Sequence, residues 1–224
     1  MFKHELILGG YMKFIAVNGS PRKNWNTAML VESAVEGAKS RGAETEIVHL
    51  YDVDFKGCHS CFACKLIGGK SYGKCAVKDG LTPILEKISD ADAFVIGSPI
   101  YYADVTGETR SFMERLFYPF MTYDKNYSSI FPRKIKTGFI YDMNQKDEMM
   151  KARGYEYTFD VNKTYMGKIF GSSEYITACN TYQFTDYSKY ECSAFDPVAK
   201  KESRDNQFPI DRQKAFDLGV SLVS

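Results

Sequence analysis

The sequence lacks the long apolar runs, the charge imbalance and the secretion signal that would each indicate a particular class of protein. No stretch approaches the roughly 18–20 continuous apolar residues that cross a bilayer, and the apolar run near the N-terminus is too short for a signal peptide. The net charge is only +1, which gives no electrostatic reason to bind nucleic acid or an anionic membrane. We therefore expect a cytoplasmic protein that binds neither.

Internal repeats and low-complexity linkers are also missing. The chain has 224 residues and a hydrophobic fraction of 44%, which is enough for one domain with a substantial core. A strand-like pattern starts after Met12, so we expect residues 1–11 to be an N-terminal extension and residues 12–224 to form a single domain.

Short apolar runs alternate along the chain with amphipathic helical segments. Each run is nearly continuous in apolar residues, as expected for strands that are covered on both faces. Such alternation is typical of βαβ units, so we predict a three-layer α/β domain with a five-stranded parallel sheet. The segment 181–208 is polar, and we predict that it runs irregularly over the surface. The predicted strands are 13–18, 45–50, 93–98, 136–141 and 174–180.

The first predicted strand runs into a turn, Asn-Gly-Ser-Pro-Arg, that contains no acidic residue. The helix that follows would offer unpaired N–H groups and a partial positive charge, both of which favour an anion. Ser20, Asn26 and Thr27 add hydroxyl and amide donors, and Arg22 adds a guanidinium suited to phosphate oxygens. The turn is either a phosphate site or an ordinary strand–helix connection.

A second turn follows the third predicted strand and has the sequence Ser-Pro-Ile-Tyr-Tyr. The segment from Pro99 through Ile100 and Tyr101 to Tyr102 would combine backbone N–H donors with flat side chains at one edge of the sheet. An isoalloxazine ring needs both features, although the two tyrosines could also merely pack beneath a loop.

Together the two turns resemble those of the flavodoxin-like NAD(P)H-dependent FMN reductases. The phosphate motif of that family corresponds here to Gly19, Ser20, Arg22 and Thr27, and its flavin-edge motif to Ser98, Pro99, Tyr101 and Gly107. The resemblance implies strand order 2-1-3-4-5, bound FMN, and a homodimer or homotetramer. The dinucleotide fingerprint Gly-x-Gly-x-x-Gly is absent, which is consistent with that family and argues against a Rossmann dehydrogenase.

Four cysteines follow the second predicted strand with the spacing C-x2-C-x2-C-x10-C. Thiolates at such short spacing suit zinc or an iron–sulfur cluster, and free thiols remain the third alternative. The loop resembles that of the iron–sulfur flavoproteins, which implies a [4Fe-4S] cluster beside the FMN, although the last gap is longer than usual in that branch. The metal ligands implied by this resemblance are Cys58, Cys61, Cys64 and Cys75.

The resemblance implies an oxidoreductase that passes electrons from NADH or NADPH, through FMN, to a quinone, a flavin or a similar small acceptor. The chemistry would belong to the cofactor, so no side chain is expected to act as an obligatory acid or base. Two alternatives remain. One is an electron carrier that exchanges electrons with a protein such as ferredoxin, and the other is a scaffold that has lost its flavin.

Overall fold

The computed structural model describes residues 11–224, so the predicted N-terminal extension lies, apart from Tyr11, outside the described residues. Seven α-helices and six strands make up the regular part of this region, joined by short 3₁₀ turns. The strands are β1 (Lys13–Asn18), β2 (Glu44–His49), β3 (Ala93–Tyr101), β4 (Asp104–Val105), β5 (Ile135–Asp142) and β6 (Gly171–Ala178). The helices are α1 (Asn26–Ser40), α2 (Thr82–Asp90), α3 (Gly107–Phe117), α4 (Asp147–Ala152), α5 (Tyr155–Phe170), α6 (Pro197–Glu202) and α7 (Phe208–Leu222).

The main sheet is parallel throughout, with strand order β2-β1-β3-β5-β6. Its five long strands are the five predicted ones, and their order, 2-1-3-4-5 when only these strands are numbered, confirms the predicted flavodoxin-like fold. The short β4 was not predicted. It pairs antiparallel with the end of β3, which therefore runs three residues further than the apolar pattern indicated.

Helices cover both faces of the sheet, because successive side chains of a strand point to opposite faces. In β1, Phe14 and Ala16 pack in a core with residues of α1 and α7, whereas Ile15 and Val17 pack with residues of α2, α3 and α5. All four side chains are buried. The sheet is thus the middle of three layers, as predicted.

Helices α1 and α7 lie in very close contact through two glycines. A Cβ built on Gly37 would lie 2.0 Å from the carbonyl oxygen of Phe216, and one built on Gly219 would lie 1.9 Å from that of Ala34. Only glycine allows the two backbones to approach this far. The close packing of α1 on α7 therefore fixes the position of α1, including its first turn.

The segment after β6 is more regular than we predicted. It contains α6 and a turn of π-helix, Ser203–Gln207, which leads directly into α7. Lys200 of α6 is only 3% exposed, and its Nζ donates hydrogen bonds to the carbonyl oxygens of Asn144 and Thr181. The predicted irregular surface segment is found only up to residue 196; from Pro197 on the prediction is wrong, because the buried Lys200 ties α6 to the loops beside the sheet. Among the helices described, none has the length and apolar character needed to cross a membrane.

Candidate functional site

A cleft of about 420 Å³ opens at the carboxyl ends of β1, β3 and β5, where parallel α/β sheets usually bind ligands. All eight residues predicted to bind the cofactor line it, so the fold brings the two predicted turns together. These are Ser20, Arg22, Asn26, Thr27, Pro99, Ile100, Tyr101 and Tyr102. Nine further residues that we did not name as candidates also line it, namely Trp25, Asp142, Met143, Asn144, Thr181, Tyr182, Gln183, Phe184 and Phe195.

The loop between β1 and α1 is held in shape by its own polar groups. The side-chain oxygen of Asn18 accepts a hydrogen bond from the backbone N–H of Ser20 at 3.1 Å, and the hydroxyl of Ser20 accepts one from the N–H of Arg22 at 3.1 Å. Gly19 has no room for a side chain, because a Cβ there would lie 1.9 Å from the hydroxyl oxygen of Thr109. The loop is therefore set by local hydrogen bonds and by close packing on α3.

The first turn of α1 faces the cleft without a side-chain cap. Trp25 is the N-cap residue and makes no capping hydrogen bond, and the first turn contains no acidic residue. The first amides of a helix have no partner within it, so this end presents N–H donors and a partial positive charge. Asn26 and Thr27 are both buried there. This end of the cleft suits an anionic group.

The opposite wall of the cleft is the segment after β6, and three hydrogen bonds join it to the β1–α1 loop. Arg22 Nη1 donates to the carbonyl oxygen of Gln183 at 2.8 Å, while the Trp25 indole and the Asn26 amide donate to that of Tyr182 at 3.1 and 2.8 Å. The Arg22 guanidinium also lies 3.8 Å from the centre of the Trp25 ring. The residue predicted to grip phosphate thus already binds across the mouth of the cleft.

The aromatic end of the cleft is a two-residue hairpin between β3 and β4. Tyr102 and Ala103 occupy the loop with φ of 52° and 70°, a geometry that usually selects Asn-Gly. Tyr101 is 45% exposed and Tyr102 is fully exposed. Left-handed conformations at non-glycine residues are costly and are enriched at functional sites, so this corner is a candidate binding surface.

Asp142 is the functional candidate that we missed in the sequence. It is the last residue of β5 and is 4% exposed, and one of its carboxylate oxygens accepts a hydrogen bond from the hydroxyl of Thr27. Burial raises the pKa of Asp142 to about 6, even though hydrogen bonds from Thr27, Asn26 and Thr181 and the charge of Arg22 favour the ionised form. The available signal was its position, since an acid at the carboxyl end of a central strand lies at the ligand-binding edge.

The cysteine loop forms a separate site beside α3. The predicted ligands Cys58, Cys61, Cys64 and Cys75 all border one hollow. The guanidinium of the buried Arg115 donates to the sulfur of Cys75 at 3.0 Å. Burial raises the pKa of the Cys64 thiol.

This hollow does not fit a cluster in the arrangement described. Its accessible volume is about 20 Å³, which is room for roughly one water molecule. Within residues 11–224, no three His, Cys, Asp or Glu side chains are grouped closely enough to hold a metal ion. The donor chemistry and the neighbouring cation suit a thiolate-bound metal, but the sulfur positions do not form a coordination shell.

Curated relatives match less than half of the chain. An iron-sulfur flavoprotein of Archaeoglobus fulgidus is 43% identical over 104 residues, covering 46% of this chain and 48% of that protein. One of Methanocaldococcus jannaschii is 36% identical over 104 residues, covering 46% of this chain and 51% of that protein. The matched part of the chain therefore spans about half the length of these relatives.

Solved structures match almost the whole chain at low identity, which shows the fold alone. An NAD(P)H:quinone oxidoreductase from Methanothermobacter marburgensis gives a TM-score of 0.70 at 14% identity, covering 95% of this chain and 98% of that one. An FMN-dependent NADH-azoreductase from Bacillus anthracis, solved in complex with FMN, gives 0.64 at 11% identity, covering 95% and 100%. The model of the NADPH-dependent FMN reductase family matches residues 12–131, more than half of the chain, and the protein therefore belongs to that family.

Proposed function

We propose that the protein is an FMN-dependent oxidoreductase that passes electrons from NADH or NADPH to a quinone, a flavin or a similar small acceptor. The observation that carries this proposal is that an uncapped helix N-terminus and an aromatic hairpin line one and the same cleft. Its volume of about 420 Å³ lies within the range of small-molecule sites. Membership of the family and the shared fold with quinone and azo reductases support the same conclusion.

The residues of the cleft fit FMN in both of its chemical parts. At one end, the amides of the first turn of α1 and the side chains of Ser20, Asn26 and Arg22 would bind the phosphate. At the other end, the backbone and rings of the segment from Pro99 to Tyr102 would hold the isoalloxazine ring. FMN when bound supplies hydride and electron transfer, and the chain's part is to bind and orient it.

The open side of the cleft suits a second flat molecule. The ring of Tyr102 is fully exposed at the mouth, and Tyr101 is about half exposed beside it. Aromatic rings are effective surfaces for stacking, so this corner would accept the nicotinamide and then the acceptor in turn. A homodimer or homotetramer and a cytoplasmic location belong to the same proposal, and light scattering of the purified protein tests the former.

Flavin binding and turnover test this proposal directly. We expect the protein to quench FMN fluorescence on binding and to oxidise NADH or NADPH in the steady state when a quinone is supplied. Arg22→Ala should weaken FMN binding by about 1.5–3 kcal/mol, roughly 10- to 150-fold, because a charge-assisted contact is lost.

Arg41→Ala, an exposed arginine at the other end of α1, is the matched control and should leave FMN affinity unchanged. A protein that stays colourless with FMN added and shows no turnover would refute the proposal and favour a scaffold without flavin.

A second candidate function is electron transfer through an iron–sulfur cluster, with a protein such as ferredoxin as the partner. Four thiols around one hollow, the Arg115 contact to Cys75 and the curated iron-sulfur flavoproteins favour it. The small hollow opposes it, since the cysteine loop would have to open to admit a cluster.

Iron analysis and an absorption spectrum of anaerobically purified protein decide between these possibilities. Bound iron with a shoulder near ~400 nm that Cys61→Ser abolishes would support the cluster. Turnover by iron-free protein would support the FMN reductase and contradict the electron carrier with a cluster.

A further inference from the structure

Asp142 lies at the phosphate end of the cleft, where an acidic residue is unexpected. Its backbone is in register with Pro99 of β3 and with Ala178 of β6, so the side chain projects from the centre of the binding edge. It is 4% exposed and borders the same cleft as Asn26 and Thr27. A dianionic phosphate beside an ionised, buried carboxylate would be repelled, because charges interact strongly where water is excluded.

The hydrogen bond between Asp142 and Thr27 determines what Thr27 can offer a ligand. Thr27 has a single hydroxyl proton, and that proton points to a carboxylate oxygen of Asp142. An ionised carboxylate can only accept, so Thr27 then presents only lone pairs to a phosphate oxygen. A protonated Asp142 could instead donate to the Thr27 oxygen, which would leave the Thr27 proton free to bind the phosphate.

Few other charges face this carboxylate. Asn26 and Thr27 of α1, Thr181 from the segment after β6 and the guanidinium of Arg22 face it, and the phenol of Tyr101 on β3 is also nearby. Arg22 is the one cation in this set, and it is already bonded to the carbonyl of Gln183 and stacked on Trp25. The effect of burial therefore outweighs these hydrogen bonds and this one cation, and the resulting pKa of about 6 makes the protonated form of Asp142 accessible near neutral pH.

We propose that Asp142 positions the Thr27 hydroxyl, and that a phosphate monoester binds the cleft together with one proton taken from solvent by Asp142. The proton converts the carboxylate into a donor to Thr27, and Thr27 turns its own proton toward the phosphate. This inference rests on the proposed function, since FMN is the phosphate monoester in question, and it makes flavin affinity dependent on pH.

The test compares wild type with Asp142→Asn, using FMN and riboflavin as probes across about pH 5 to about pH 8. The asparagine amide donates to Thr27 at every pH, as the protonated acid would. Above the pKa of Asp142, wild-type FMN affinity should therefore fall relative to the variant by up to tenfold per pH unit. The ionisation of the phosphate of free FMN, with a pKa of about 6, is common to both experiments and cancels in the ratio of the two affinities.

Riboflavin and two further variants keep the result interpretable. Riboflavin lacks the phosphate, so the ratio of its affinities for Asp142→Asn and for wild type should not change with pH. Thr27→Val in the Asp142→Asn background should remove the gain in FMN affinity at high pH, and the exposed control Asp217→Asn should bind as wild type does. Circular dichroism would verify that each variant is folded.

The outcomes separate this inference from the proposed function. A ratio of FMN affinities that does not change with pH, or an equal pH effect on riboflavin, would overturn the role of Asp142 and leave flavin binding intact. A folded wild-type protein that binds neither flavin at any pH would overturn the proposed function and this inference with it.

Discussion

Replacing Arg115 by methionine should destabilise the protein more than any exposed charge substitution. The Arg115 side chain is 1% exposed, and it holds the cysteine loop to α3 through several hydrogen bonds. Its nitrogens donate to the two carboxylate oxygens of Asp79 at 2.8 and 3.1 Å, to the carbonyl of Lys56 at 2.9 Å and to the sulfur of Cys75. Methionine fills similar space but removes the arginine donor from each of these contacts, and Asp79 Oδ1 keeps only the backbone N–H of Leu81.

The expected loss is about 3–5 kcal/mol, the usual cost of removing one partner from a buried ion pair. For a protein of this size, that corresponds to a fall in Tm of roughly 6–20 °C. The Arg115 hydrogen bond lowers the pKa of Asp79, so the pair stabilises the fold above the ordinary range of an aspartate and loses that effect as pH falls. The difference in the free energy of unfolding between wild type and Arg115→Met should therefore become smaller at acid pH.

Thermal and urea unfolding, followed by far-ultraviolet circular dichroism, measure the effect. Lys87→Met is the control, because the Lys87–Glu46 pair is about half exposed on both sides and should contribute no more than about 1 kcal/mol. Adding Asp79→Asn to Arg115→Met should recover part of the loss, since the unpaired carboxylate is then removed. A single Arg115→Met variant as stable as Lys87→Met would refute the reasoning.

Three further predictions concern stability. Gly219→Ala should cost about 1–3 kcal/mol in urea unfolding because its Cβ would meet the backbone of Ala34, whereas Gly107→Ala, with open space around it, should cost nothing. Ala103→Gly should raise the free energy of unfolding by about 1 kcal/mol, and with it Tm, because glycine adopts a φ of 70° without strain. An unchanged Tm would contradict strain at Ala103. The pKa of Asp142 is raised to about 6, so ionisation should weaken the apo fold as pH rises from about 4 to about 6, by about 3 kcal/mol in total. Asp142→Asn should lack that loss in urea unfolding at the two ends of this range, and a parallel decline in both proteins would contradict it.

Apolar runs predicted the sheet well because its central strands, β1, β3 and β5, are buried on both faces. The predicted β1 coincides with the observed strand, and four further runs place the other parallel strands to within a few residues. The end of β3 was missed because Tyr102-Ala103 contains neither Asn nor Gly, the usual signals of a two-residue hairpin. Its positive φ angles are imposed by the pairing of β3 with β4, which no local pattern encodes.

The sequence predicted only part of the cleft. Ser20 and Tyr101 lie in short motifs, and their positions at strand ends could be inferred. The facing wall around Tyr182, and the buried Lys200 that fixes α6, depend on contacts between residues far apart in the chain. Polar composition predicted an irregular surface there, because composition does not reveal a charged group satisfied by distant carbonyl groups.

The three hydrogen bonds across the mouth of the cleft bear on how quickly a ligand can enter or leave. Arg22 Nη1 donates to the carbonyl of Gln183, and Trp25 and Asn26 tie the same two walls through Tyr182. The guanidinium has further N–H groups that a phosphate could use. A molecule that passes between these two walls would have to break all three hydrogen bonds, whereas the side of the cleft at the exposed Tyr102 stays open. We therefore expect FMN bound behind these walls to be retained through purification and dialysis.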